Sequence, residues 1–136
     1  MVALLNESDV VSIHTPLTKD TKRLADKFFF KHMKDSAIII NTARGQIFDL
    51  DDLYDALLNN EIRAIGTDVL PDEPPNENHQ LIKDWKNDES WVSGRILITP
   101  HSAFYNRESI IELREKAASE LKRVLENKNP LNRVNY

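Results

Sequence analysis

Four short runs of apolar and β-branched residues, Val10 to His14, Ala37 to Asn41, Ala64 to Val69 and Ile96 to Thr99, punctuate this chain. Each is too short for a helix and has the composition of a strand. Ala37-Ile38-Ile39-Ile40 is apolar without a break, which predicts a strand covered on both faces, as when helices flank a parallel sheet. Helix-sized segments separate the runs: Asp26 to Met33 with Phe28, Phe29 and Phe30, and Asp51 to Leu58 with Leu53, Ala56 and Leu57 on one face. Asp26 and Asp49 suit N-caps, because a short carboxylate accepts the orphan N–H groups of a first turn and complements the helix dipole. Asp52, three residues after Asp49, strengthens the second start. The alternation predicts an α/β fold, a doubly wound parallel sheet with flanking helices.

A last helix is expected from about Asn106 to Asn127, with Ile110, Leu113, Ala117, Leu121 and Val124 at spacings of three and four. Its simplest role is to pack an apolar face on the core. Pro130 stops it and leaves a short tail ending at Tyr136. Met1 to Leu5 reads as the final turn of a helix, so the chain is expected to begin partway through a fold. Pro71 to Gly94, rich in Pro, Asn, Asp and Glu, reads as one long irregular loop holding Trp85 and Trp91, which serve as core anchors or as an oligomer contact.

The 136 residues are the size of one ordinary domain, and a 40% hydrophobic content suffices for a core. A formal net charge of -4 offers nothing attractive to a polyanion, so nucleic acid is not expected as a direct ligand. Without cysteine there is no disulfide, thiolate metal site or thiol nucleophile. The sequence has neither a leader pattern nor an apolar run approaching the roughly 20 residues that span a bilayer. The expectation is a soluble intracellular protein with no membrane partner, cytoplasmic, with a nuclear location left open.

In such a sheet ligands bind outside the carboxyl ends of the strands. His14 ends the first run, Arg44 follows the second in Asn41-Thr42-Ala43-Arg44-Gly45, Asp68 ends the third with Glu73 just beyond, and His101 follows the fourth. A strand-end arginine can present its planar fork to a carboxylate, and a histidine beside a carboxylate is an acid–base device. Together they suit carbonyl reduction, in which carbon takes a hydride while a nearby proton donor and a cation relieve the charge on oxygen. Taken singly the residues have plainer readings: Arg44 as an ion-pair partner, Asp68 as a strand end, His14 as a donor to a backbone carbonyl, and His32 and His79 as ordinary surface residues. A metal site at His14, Asp68, Glu73 and His101 matches no ligand spacing, and Arg44 would repel the cation, so none is expected.

The segments Glu7-Ser8-Asp9-Val10-Val11-Ser12-Ile13-His14-Thr15-Pro16-Leu17-Thr18, Ile40-Asn41-Thr42-Ala43-Arg44-Gly45, Gly66-Thr67-Asp68-Val69-Leu70-Pro71-Asp72-Glu73-Pro74 and Thr99-Pro100-His101 carry a further signal. In this order they resemble the D-isomer-specific 2-hydroxyacid dehydrogenases, and the resemblance covers nearly the whole chain. His101-Ser102-Ala103-Phe104-Tyr105 and Glu112-Leu113-Arg114-Glu115-Lys116-Ala117-Ala118 look closest to the branch containing the C-terminal-binding-protein corepressors. The resemblance implies a partial Rossmann-type sheet, with residues 1–105 as the C-terminal part of an NAD-binding domain and 106–136 as a helix and tail directed toward a substrate domain. It implies that Arg44 binds the carboxylate of a 2-oxo or 2-hydroxy acid, that His101 exchanges the proton on the substrate oxygen and that Glu73 supports His101. Cofactor contacts to NAD are implied at His14, Thr15, Pro16, Thr42, Ala43, Arg44, Asp68 and His101, and a homodimer for the full-length form.

Gly45, Gly66 and Gly94 cannot form the Gly-x-Gly-x-x-Gly turn that holds a pyrophosphate in this family. The chain is therefore expected to be a truncated piece that neither binds NADH tightly nor turns over substrate alone. Two functions remain open at this point: an NAD-dependent dehydrogenase, and a non-catalytic scaffold of corepressor type that responds to NAD(H).

Overall fold

The structure, a computed structural model, describes residues 1–133. Its contacts divide the chain into two compact units, Met1–His101 and Ser102–Tyr136. The first contains α1 (Val2–Glu7), β1 (Val10–Ile13), α2 (Lys27–Lys31), β2 (Ile38–Asn41), a 3-10 turn (Gly45–Ile47), α3 (Leu50–Leu58), β3 (Ala64–Thr67), α4 (Gln80–Lys86) and β4 (Ile96–Ile98). The second contains α5 (Arg107–Leu125). The end of the expected tail, at Tyr136, lies outside the described residues.

The four runs form one wholly parallel sheet in the order β1-β2-β3-β4. Each expected strand is one or two residues shorter than its apolar run. Ile13, Asn41, Thr67 and Ile98 pair across the sheet. The residues that follow them therefore leave the carboxyl edge side by side, and this register brings distant segments to one rim.

One sheet face is the core. Val11, Ile13, Ile39 and Ile65 are buried against Phe29 and Phe30 of α2, Leu53, Ala56 and Leu57 of α3, Leu81 and Ile82 of α4 and Leu5 of α1. On the opposite face Ile38 and Ile40 are half-buried while Val10 and Leu97 are exposed, so coverage within this chain is complete on one side only. Successive right-handed crossovers in a single direction produce this arrangement, because each returns on the same side.

The two aspartate caps form as read. Asp26 accepts from the Phe29 N–H, and Asp49 accepts from those of Asp51 and Asp52. Asp52 itself turns away from its own helix start and accepts from the Lys27 N–H at 3.0 Å, tying the beginning of α2 to α3.

Two expectations are corrected. The stretch from Pro71 to Gly94 is not irregular throughout, because α4 forms within it and buries Leu81, Ile82 and Asp84. His79 is not an ordinary surface residue. It caps α4, its Nδ1 accepting from the Leu81 N–H at 3.2 Å, so Nε2 carries the proton and donates to Asp51 at 3.0 Å. In the second unit α5 buries none of its residues, and Leu113, Leu121 and Val124 are more than half exposed. Among the described residues no helix is long and apolar enough to cross a membrane.

Candidate active site at the carboxyl edge of the sheet

Beyond β2 the chain makes a tight turn held by one side chain. Buried Asn41 donates from Nδ2 to the Arg44 carbonyl and accepts from the Ala43 N–H through Oδ1. The turn leaves Arg44 exposed, with Nη1 donating to the Ala43 carbonyl at 2.7 Å. Gly45 then runs against the loop that follows β3. A β-carbon there would lie 1.9 Å from the Leu70 carbonyl carbon, a separation no side chain can occupy. Gln46 closes the same seam by donating to the Pro71 carbonyl at 3.0 Å.

This seam sets Arg44 beside Glu73. Glu73 accepts from the Leu70 N–H through one carboxylate oxygen at 3.0 Å and from His101 Nδ1 through the other at 2.7 Å. Burial of the carboxyl and the nearby Asp68 charge push its pKa up. The bonds from His101 and Leu70, with the attraction of the imidazolium, outweigh them and hold Glu73 below the ordinary glutamate value. Because the carboxylate accepts the Nδ1 hydrogen bond, the ring is oriented and Nδ1 is committed to Glu73.

His101 sits in a left-handed conformation with φ of 51°. Its N–H donates to the Asp68 carbonyl at 2.8 Å and the Thr99 carbonyl at 3.0 Å, which holds the residue in a conformation that costs about 1 kcal/mol or more. Asp68 is buried beside β4 and accepts from the Thr99 hydroxyl at 2.5 Å.

Arg44, Glu73 and His101, far apart in sequence, line one cleft of about 470 Å³ together with Gly45, Gln46 and Leu70. His14, Thr15, Pro16, Leu17, Ala43 and Arg44 line an adjoining groove of about 460 Å³ past the ends of β1 and β2. Thr42 is exposed on the same rim. His14 is exposed, with Nε2 hydrogen-bonded to the Ser12 hydroxyl at 2.7 Å rather than to a backbone carbonyl. Asp68 lies instead in a third concavity, which Glu73 and His101 also line. Among the described residues no group of His, Asp and Glu is placed to hold a metal ion. Gly45, Gln46 and Trp85, which lines that third concavity, were not singled out as site residues from the sequence. A glycine directly after a strand-end arginine, where two backbones must cross, is the signal that could have found the first.

A parallel α/β sheet with open grooves past its carboxyl ends defines the class: a domain of the Rossmann type, whose ligands bind at that edge. The family described as D-isomer specific 2-hydroxyacid dehydrogenase, NAD binding domain, matches residues 1–103. The chain is 39% identical over 132 residues to the glyoxylate reductase of Aeropyrum pernix, covering 97% of this chain and 37% of that protein. It is 32% identical to D-3-phosphoglycerate dehydrogenase 1 of Saccharomyces cerevisiae, covering 98% of this chain and 29% of the relative. Among solved structures it is similar to the NAD complex of a D-isomer specific 2-hydroxyacid dehydrogenase from Lactobacillus delbrueckii ssp. bulgaricus, with a TM-score of 0.80, 33% identity and coverage of 98% and 42%. The D-lactate dehydrogenase of Lactobacillus jensenii with NAD+ gives 0.78, 30%, 99% and 42%. The chain belongs to the D-isomer specific 2-hydroxyacid dehydrogenase family, in its NAD-binding domain. It spans less than half the length of these relatives.

Proposed function

We propose that this chain carries the acid–base half of an NAD(H)-dependent D-2-hydroxyacid dehydrogenase, which interconverts a small 2-oxo acid and the corresponding D-2-hydroxy acid. The observation that carries the reading is the convergence of the Arg44, Glu73 and His101 side chains on one cleft. Arg44 binds the substrate carboxylate through its guanidinium fork. His101, oriented by Glu73, gives a proton to the carbonyl oxygen in reduction and takes it back in oxidation. Glu73 offsets the positive charge on the imidazole while the proton is there. Arg44 and the protonated His101 also stabilise the negative charge that develops on oxygen.

The groove lined by His14 to Leu17, Ala43 and Arg44 suits one end of an elongated cofactor, and no glycine-rich phosphate turn accompanies it in this chain. We assign His14, Thr15, Pro16, Thr42, Ala43 and Asp68 to the nicotinamide end, with Arg44 and His101 at the junction with substrate. The nicotinamide supplies or accepts the hydride when bound. In the same reading residues 106–136 pack toward the substrate-binding part of the enzyme, which the exposed apolar stripe of α5 supports.

The test is a segment exchange in which this chain replaces the matching 132 residues of the Aeropyrum pernix glyoxylate reductase. The chimera is expected to oxidise NADH with glyoxylate. Arg44→Lys should lower kcat/KM by about 10- to 100-fold through loss of the bidentate contact, and His101→Ala by about 10²- to 10⁴-fold. A folded, NADH-binding chimera whose turnover neither substitution affects would remove the basis of the assignment.

A further inference from the structure

The amino edge of the sheet, opposite the cleft, carries a concavity of its own. Ser36, Arg63 and Arg95 stand one or two residues before β2, β3 and β4. With Asp35, Asn60 and Ser93 they line an open groove of about 550 Å³, and none of these residues lines the Arg44 cleft.

Arg95 is half-buried and its guanidinium is fixed. Nε donates to the Arg63 carbonyl at 2.9 Å, and Nη2 donates to the Leu57 and Ile62 carbonyls at 2.8 and 3.1 Å. All three acceptors are neutral, and both Nη1 hydrogens are left over. Arg63 is exposed and has neither a side-chain hydrogen bond nor an ion pair among the described residues. Two cations thus face one groove with no carboxylate paired to either, and an anion there relieves their mutual repulsion. The side chains of Ser36, Asn60 and Ser93 likewise have no hydrogen-bond partner within the described chain, so their donors are available to the same ligand.

Asp35 decides which anion fits. It lines the groove, is exposed and is paired with neither arginine, so it repels a ligand that has no proton to give. Carboxylates and sulfate have none at neutral pH. Inorganic phosphate keeps at least one O–H for the carboxylate while presenting its charged oxygens to the guanidiniums. A phosphate monoester has lost most of its last proton by then, since its second pKa is about 6.

We propose that this groove is a binding site for inorganic phosphate, in which Arg63 and Arg95 hold the charge and Asp35 accepts the phosphate hydroxyl. The site shares no residue with the acid–base assignment, and either can fail without the other. It is tested by ¹⁵N NMR titration of the chain with sodium phosphate, sodium sulfate and glycerol 2-phosphate at neutral pH and constant ionic strength. The Gly94 amide and the Arg95 Nε–H report the groove. The Gly45 amide reports any anion at Arg44 and is fitted separately.

The two groove signals should move saturably with phosphate, and sulfate and the ester should bind about 5-fold or more weakly, the loss of one charge-assisted hydrogen bond. Arg63→Gln should weaken phosphate about 10-fold, and its side chain supports no other contact, so the fold is spared. Asp35→Asn removes the repulsion and supplies an amide donor, so sulfate should then bind within about 2-fold of phosphate. Shifts that do not saturate, equal affinities for phosphate and sulfate in the parent, tighter binding of the ester, or an Arg63→Gln protein with unchanged affinity each overturn the proposal.

Discussion

Replacing Gly45 with alanine tests whether the seam between the β2 and β3 loops builds the cleft. The added β-carbon would fall 1.9 Å from the Leu70 carbonyl carbon, 2.0 Å from its oxygen and 2.4 Å from the Pro71 nitrogen. Unstrained carbon contacts lie at about 3.5–4.0 Å, so the two backbones must part by about 1.5 Å. No flexible side chain can absorb that movement, which puts the cost at the upper end of the usual range for overpacking, about 3 kcal/mol. For a unit of this size that corresponds to a fall in melting temperature of about 10–20 °C, followed by circular dichroism. Gly94→Ala is the matched control. Nothing lies within 4 Å of its β-carbon, and its only cost is the left-handed backbone at φ 70°, about 1–2 kcal/mol. The same displacement separates Arg44 from Glu73, and a shift of about 1 Å at an active site can cost about 100-fold in rate. A Gly45→Ala protein that melts within a few degrees of the parent, or later than Gly94→Ala, would refute the claim that this close approach organises the site.

Other perturbations follow from single contacts. His79→Ala removes the α4 cap and should cost about 1 kcal/mol in urea denaturation, whereas His79→Asn, which can still accept from Leu81, should recover most of it; equal losses in both would dismiss the cap. Asp49 accepts two N–H groups at the start of α3 and pairs with Arg23, so Asp49→Ala should lose about 1–2 kcal/mol, against about 0.5 kcal/mol or less for Arg23→Ala at the exposed end. Glu73 has its pKa lowered on folding, so its stabilising contribution is complete above the ordinary glutamate range near about 4.3 and is lost as pH falls through the folded-state value. Because its side chain is 40% exposed, that contribution is about 0–1 kcal/mol. Urea midpoints of the parent and Glu73→Gln should differ at neutral pH and converge in acid, and a gap that widens in acid would contradict the origin given for the shift.

What the sequence made legible depended on how far each signal reached along the chain. The strands were readable because β-branched runs such as Ile38 to Ile40 repeat one local preference, and a parallel order of such strands brings Arg44, Glu73 and His101 to the same rim. The short helix α4 was not, since seven residues complete barely two turns and its cap is a histidine rather than Ser, Thr, Asp or Asn. The stripe on α5 was legible as a stripe, but its partner was not, because periodicity shows that a face is apolar and says nothing of what covers it. Least visible was Gly45, whose close approach to Leu70 only the folded register creates. That division has a chemical counterpart. The proposed site residues Arg44 and His101 lie within three residues of a strand end, where topology fixes them, whereas the long β3–β4 connection that carries Glu73 can change length and composition without moving the strand ends.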